Sequence, residues 1–150
     1  MTRIKNQEME VKNLRNILAY LLFISMIVGC SQPEGFVTPE DPLDAGREFV
    51  RAVLDGDYKK ASLYLNDDPE DQELFSRYVA HEKKQPRKEI LSYKSASIII
   101  NKAENINDST SIINFSNSYS MKPMDLKIIK KNNTWKVDFS YTFSGNIPQE

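Results

Sequence analysis

The chain has 150 residues, of which 20 are basic and 21 are acidic, and its formal net charge is −1. About 100 residues are enough for one hydrophobic core, so this length predicts one domain rather than several. The near balance of charge and the absence of a basic block argue against nucleic acid as a partner, because binding it needs a clustered cationic face. Cys30 is the only cysteine, which excludes a disulfide within the chain.

An uncharged, apolar run of thirteen residues extends from Ile17 to Gly29. It is too short to cross a hydrocarbon core, which takes about 20 helical residues. A segment that contains Lys12 and Arg15 precedes the run, and a polar stretch follows it. A basic flank followed by a short apolar run that ends at a small residue is typical of a secretory signal peptide.

The Gly29-Cys30 junction resembles the lipobox of bacterial lipoproteins. The resemblance implies that a signal peptide of residues 1–29 is removed by cleavage before the cysteine. It also implies that the Cys30 thiol takes a diacylglyceryl group and that the new amino group is acylated, for example with palmitate. One acyl chain holds a protein to a bilayer only reversibly, whereas two or three hold it durably.

This resemblance further implies a location in the cell envelope, with the membrane as a partner through the lipid at Cys30. By similarity to enterobacterial sorting, Ser31 after the cysteine favours the periplasmic side of the outer membrane in a Gram-negative cell. The processed chain would have a net charge of −3 and no segment apolar enough to span a bilayer. The start of translation is open between Met1 and Met9, because acidic residues are unusual ahead of a signal run.

Residues 30–41 contain two prolines and a glycine but few apolar side chains, which predicts a flexible tether. The folded domain is predicted over 42–145, with a short tail at 146–150. Asp41 can cap the first helix and Pro42 can occupy its first turn. The apolar face of this helix recurs at three- and four-residue spacing: Leu43, Gly46, Phe49, Val50, Val53 and Leu54.

Two more helices and a helical turn are predicted after the first helix. Asp55-Gly56-Asp57 ends the first helix and caps the second, whose buried side consists of Tyr58, Ala61, Tyr64 and Leu65. A turn is predicted at 66–71. Four residues of the third helix, which follows it, face inward: Leu74, Phe75, Tyr78 and Val79. Pro86 interrupts the charged stretch that follows, and Ile90 and Leu91 lie on a last helical turn.

From Ala96 onward the hydrophobic period changes from 3.6 to 2, which predicts four strands. The first carries Ala96, Ile98 and Ile100, and a turn follows at 105–108. The second carries Ile113, Phe115 and Tyr119, and the third carries Met124, Leu126 and Ile128. Asn132-Asn133 predicts a two-residue hairpin turn, since Asn tolerates positive φ. The last strand alternates most regularly and places five large residues on one face: Trp135, Val137, Phe139, Tyr141 and Phe143.

Helices followed by an antiparallel meander with one apolar face predict an α+β fold, in which the helices cover that face. The order resembles the cystatin-like, nuclear transport factor two-like superfamily, and the chain is similar to small bacterial lipoproteins of a domain-of-unknown-function family. The helix-turn-helix at 49–61 and the closing hairpin at 130–137, with its tryptophan, carry the resemblance. It implies N-terminal helices on a curved sheet whose interior can form a ligand pocket, and some members are isomerases or dehydratases.

Tyr119, Trp135 and Tyr141 are the candidate ligand-binding residues, because they lie on the predicted apolar face. Asp138 would be the natural general base on the last strand, but its parity predicts that it points outward. His81 is the only histidine and lies in a charged stretch, so a histidine metal site is excluded. The acidic cluster at 67–73 lacks the spacing of a calcium loop and suits a helix start instead.

The sequence therefore predicts no catalytic residue, no metal and no cofactor. It predicts a non-catalytic binding or assembly module of unknown ligand, with a homodimer or a protein partner possible through an outer sheet face formed by Lys136, Ser140 and Thr142. The alternative is a small-molecule isomerase or dehydratase that uses the cavity of the sheet. An inward-facing carboxylate in a pocket would favour that alternative, because a general base must be near its substrate.

Overall fold

The computed structural model describes residues 36–143. The predicted signal peptide, Cys30, the first part of the tether and the tail at 146–150 lie outside these residues. Between Phe36 and Phe143, five helices and four strands follow one another: α1 (Pro42–Asp55), α2 (Tyr58–Tyr64), α3 (Pro69–Glu82), α4 (Arg87–Ser95), β1 (Ile98–Asn107), β2 (Thr110–Asn117), β3 (Met124–Lys131), β4 (Thr134–Asp138) and α5 (Phe139–Phe143). The strands form one antiparallel sheet in the order β1-β2-β3-β4, so the α+β prediction is confirmed.

The first two helices begin where the sequence predicts, whereas the third begins at Pro69, inside the turn predicted at 66–71. The side chain of Asp41 accepts a hydrogen bond from the Asp44 N–H at 2.9 Å, and Pro42 occupies the first turn of α1. Asp57 caps α2 in the same way, and Asp68 caps α3. Each aspartate satisfies a backbone donor that the first turn of a helix leaves unpaired.

The core lies between α1 and the sheet. Residues of α1 that face the sheet are buried, including Phe49 at 2% exposure, and they meet Ile113, Leu126 and Ile128 from the strands. Gly46 sits at the point of closest approach, where an added Cβ would lie 2.9 Å from Ile113 Cδ1. The missing side chain at Gly46 thus permits the helix to lie close to the strands.

The strand pairing follows the predicted pattern with two differences. The hairpin at Asn132-Asn133 has φ values of 49° and 62°, as a two-residue turn of this kind requires. The strand β1 continues to Asn107, so the first turn is shorter and lies later than predicted. The strand β2 ends at Asn117, which leaves Tyr119 in the following turn rather than on a strand. The helix α4 has nine residues where only a last turn was predicted.

The prediction for the last strand is wrong beyond Asp138, because Phe139–Phe143 forms the short helix α5. The side chain of Asp138 accepts hydrogen bonds from the Tyr141 N–H and the Ser140 hydroxyl, each at 3.1 Å, and so begins the helical turn. Phe139 and Phe143 are four residues apart, a spacing that places two side chains on one face of a strand and also on one face of a helix. Their rings stack in the helix at a centroid distance of 4.2 Å.

Aromatic contacts and a buried carboxylate hold α5 against α3. The ring of Phe139 lies edge-on to Phe75 at 5.3 Å, and Tyr78 contacts Phe143 at 5.4 Å. Asp71, only 1% exposed, accepts a hydrogen bond from the Ser140 N–H at 2.7 Å. A local sequence pattern contains no information on long-range contacts of this kind. The alternation of apolar residues therefore predicts a strand for Phe139–Phe143, where the contacts favour a helix.

The last residues of the predicted tether contact the domain. The ring of Phe36 lies 5.2 Å from that of Tyr64, and the Val37 N–H donates to the Tyr64 hydroxyl at 3.1 Å. Pro39 is buried. The flexible tether therefore stays a prediction for residues 30–35, while the chain is packed against α2 from Phe36 onward.

The contacts of Asp138 predict an acid-dependent part of the stability. Burial raises the pKa of Asp138, but hydrogen bonds from Lys127, Tyr141 and Ser140 outweigh it, so the pKa lies below its ordinary value of 3.8. A carboxyl group whose folded-state pKa is lowered stabilises the fold above its unfolded pKa, and that stabilisation is lost as the pH falls through the folded pKa. We expect Asp138→Asn to lower the free energy of unfolding at neutral pH and to flatten its decrease below about pH 4.

Urea unfolding at a series of acidic pH values measures this effect. The exposed Asp108→Asn variant is the control for removing one carboxylate, and it should follow the wild-type curve. Parallel pH curves for the wild type and Asp138→Asn would contradict the assignment.

Candidate functional site

A partly enclosed cavity of about 310 Å³ lies between the helices and one end of the sheet. The helices α1, α3 and α4 contribute most of its wall, and Phe115, Met124 and the loop between β2 and β3 close the remaining side. Ligand pockets in proteins begin at about this size. The cavity is the strongest candidate site in residues 36–143.

Arg51 fixes α4 beside α1 and so shapes one wall of the cavity. Its guanidinium donates to the carbonyl oxygens of Ala96 at 2.8 Å and Lys94 at 3.0 Å, at the end of α4. The same group forms a salt bridge with Asp55 at 3.0 Å. The planar guanidinium suits several simultaneous hydrogen bonds of this kind.

Three tyrosines from three different helices line the cavity: Tyr58, Tyr78 and Tyr93. Burial, followed by the charge of Glu82, raises the pKa of the Tyr58 and Tyr78 hydroxyls above the ordinary value of 10.0. Burial and the charges of Glu89 and Glu82 raise the pKa of Tyr93. All three phenols are therefore neutral hydrogen-bond donors at physiological pH.

Glu82 is the one acidic residue among those that line the cavity. Its side chain is 23% exposed, and its Oε1 lies 3.3 Å from Nδ1 of His81. After burial, the charge of Glu82 contributes to the raised pKa of each of the three tyrosines. Glu82 is thus a carboxylate residue that lines a pocket, which is the feature that would favour an enzyme.

The rim of the cavity is polar and rests on an ordered loop. Asn117 is 9% exposed, and its Oδ1 accepts from the N–H groups of Tyr119 at 3.1 Å and Ser120 at 2.9 Å. This turn places Ser120 and Lys122 at the cavity, which Gln85, three residues after the end of α3, also lines. A largely apolar pocket with a few placed polar groups is typical of a small-molecule site.

The three predicted ligand-binding residues do not come together at this site. Tyr119 packs edge-on against Tyr93 at 4.9 Å but is 48% exposed and does not line the cavity. Trp135 pairs with Lys130, six residues along β3 from Met124, and so lies about 20 Å from the cavity end of that strand. Tyr141 is 52% exposed on α5, under the ammonium group of Lys127.

The predicted outer face of Lys136, Ser140 and Thr142 is not formed, because the last two residues belong to α5. Thr142 is 8% exposed. The ammonium group of Lys136 turns toward α2 and donates to the Leu63 carbonyl oxygen at 2.6 Å. Asp138 does point away from the core, as predicted, but it is bound to Lys127 at 2.7 Å rather than solvated.

The sequence does not single out Glu82, because the charged residues around His81 predict an exposed surface. The signal that could have found it is the spacing of Tyr78 and Glu82, which are four residues apart and so share one side of α3. Tyr58 and Tyr78 were assigned correctly to inward faces, but as core residues. Inward-facing side chains can pack against one another or border a cavity. Which of the two occurs depends on how the helices pack together, and the pattern of one helix does not specify it.

Within residues 36–143, no group of three or more histidine, cysteine or carboxylate side chains is arranged to bind a metal ion. In the same part of the chain, every helix is too short or too polar to cross a membrane. Comparison of the chain with family models, with curated proteins and with solved structures gives no match.

Proposed function

We propose that the protein is a lipid-anchored, extracytoplasmic binding module whose cavity takes a small, largely apolar molecule. The observation that carries the proposal is the cavity of about 310 Å³ between α1, α3 and α4. Close packing leaves few large voids in a protein interior, so a cavity of this size is a candidate binding site. The helix-then-meander order also supports membership of the cystatin-like superfamily, which the motifs of the sequence suggest.

The walls of the cavity indicate the chemistry of the ligand. Aromatic side chains provide flat apolar surfaces, and Glu82 provides a negative charge beside them. The three neutral phenols supply further hydrogen-bond donors. The matching ligand has an apolar, preferably aromatic body and an amine or another donor that faces Glu82.

A fluorescent amine tests the cavity directly. We expect N-phenyl-1-naphthylamine to bind to the chain from Ser31 to Glu150, which retains every contact described in the domain. Val53→Phe fills the cavity from α1 and should abolish the fluorescence increase while preserving the thermal midpoint. Glu82→Gln should weaken binding by about tenfold, because a hydrogen bond to a charged group contributes about 1.5–3 kcal/mol.

The matched control for Glu82→Gln is Glu73→Gln, which changes an exposed glutamate on the same helix. This variant should bind the probe as the wild type does. Equal binding by the wild type and Val53→Phe would rule out the cavity as the site. Equal losses in the two glutamine variants would rule out a direct role for Glu82.

The membrane location rests on Cys30 and the apolar run before it. We expect cells that express the wild type to incorporate radiolabelled palmitate into the protein and to retain it in the membrane fraction. Cys30→Ala should lose the label and accumulate as the uncleaved precursor, because lipid attachment precedes cleavage in lipoproteins. Unchanged palmitate labelling in Cys30→Ala would reject the anchor.

A second candidate function is an isomerase-type enzyme, which Glu82 favours because it places a carboxylate among phenol donors. In this chemistry the carboxylate removes a proton next to a carbonyl group, and a phenol stabilises the resulting enolate oxygen. We expect no catalysed exchange of the methyl protons of acetophenone in D₂O, followed by NMR, because the binding proposal assigns Glu82 to recognition. Exchange that exceeds the buffer rate and is lost in Glu82→Gln would favour the enzyme instead.

A further inference from the structure

The outer face of α4 presents an exposed leucine among basic side chains. Leu91 is 55% exposed, and no residue of α4 is buried. Residues three and four positions away on a helix are its surface neighbours, and for Leu91 these include Arg87, Lys88 and Lys94, all exposed. A large apolar side chain ringed by cations is typical of a surface that enters the interface of an anionic bilayer.

The cavity rim and the neighbouring loop extend this surface. Ile90 of α4 is 39% exposed and lines the cavity, as does the exposed Lys122. The loop between β2 and β3 adds Tyr119 and Met121, which are 48% and 62% exposed. Tyr119 contacts α4 through the ring of Tyr93, so the loop and the helix are joined.

Charge is distributed unevenly along the domain. The stretch from Lys83 to Lys94 contains five basic residues and one acidic residue, Glu89. The other described residues carry a net charge of −5. Basic clusters near a membrane are attracted to anionic lipids, so the charge of this stretch favours contact with a bilayer that contains them.

We propose that the outer face of α4, with Ile90, Leu91 and the loop residues Tyr119 and Met121, docks on the surface of a bilayer that contains anionic phospholipid. The proposal rests on the membrane location proposed for Cys30. Five residues lie between Cys30 and Phe36, and these six steps of chain span roughly 20 Å at most. A lipid at Cys30 would therefore keep the domain close enough to the bilayer for weak docking to be effective.

Depth-dependent quenching tests this orientation. The full chain carrying Leu91→Trp is reconstituted into vesicles of brominated phosphatidylcholine, with or without phosphatidylglycerol. Trp135, at 9% exposure, supplies the baseline, since it is the only native tryptophan. We expect phosphatidylglycerol to increase quenching at position 91 several-fold, and about 1 M salt to abolish the increase by shortening the Debye length to about 3 Å.

The matched control is Ile106→Trp, because Ile106 is 56% exposed and lies eight residues along β1 from the end nearest α4. Its fluorescence should not be quenched beyond the baseline. Reversing the charges at Arg87, Lys88 and Lys94 to Glu should remove the quenching of Leu91→Trp. The same reversal at Arg47, Lys59 and Lys102, exposed residues outside α4, should preserve it.

Three results would overturn the docking proposal. The first is equal quenching at positions 91 and 106, and the second is quenching at position 91 that does not change when phosphatidylglycerol is added. The third is a shift in the emission of Leu91→Trp that grows with protein concentration in detergent without vesicles. The last result would mean that a second copy of the chain covers this face. Mass spectrometry of the Cys30 peptide reports the lipid anchor separately, so failure of the anchor is distinguishable from failure of docking.

Discussion

The close approach of α1 to the sheet is the constraint on which the rest of the structure depends. Gly46 permits it, because a Cβ there would lie 2.9 Å from Ile113 Cδ1 and 3.4 Å from Leu126 Cδ2. One face of α1 thus covers the apolar face of the strands, and Arg51 of the same helix holds the end of α4. The C-terminal half of α1 also contributes Val53 to the cavity. Core packing and the candidate site therefore share one helix.

The cavity combines apolar walls with a charged carboxylate, and these two features usually conflict. Apolar walls favour an apolar ligand, but they also make an unpaired charge costly. Glu82 avoids most of that cost, since its side chain stays 23% exposed and lies beside His81. The buried phenols keep their protons, so they add donors without adding charge. The cavity therefore combines apolar walls with one carboxylate and three neutral phenols.

Local signals predicted the parts of the fold that local chemistry controls. Asp41 and Asp57 as helix caps, Pro42 in a first helical turn and Asn132-Asn133 in a tight turn act over a few residues, and each of these predictions was confirmed. The last segment was mispredicted because Phe139 and Phe143 satisfy both a strand and a helix pattern. Asp71 from a distant helix binds the Ser140 N–H and favours the helix. Such a contact spans 69 residues of sequence, which no short window includes.

The sequence by itself determined the α+β class, the starts of the first two helices and the covered face of the sheet, because caps, turns and hydrophobic periods are local properties. It also supplied the prediction of a lipid anchor at Cys30, which lies outside the described residues. Only the tertiary structure decided where a cavity forms and that Glu82, rather than Trp135 or Tyr141, lies in it. The reason is physical: a pattern specifies which side of an element faces inward, but the space left between three helices depends on how they pack against one another.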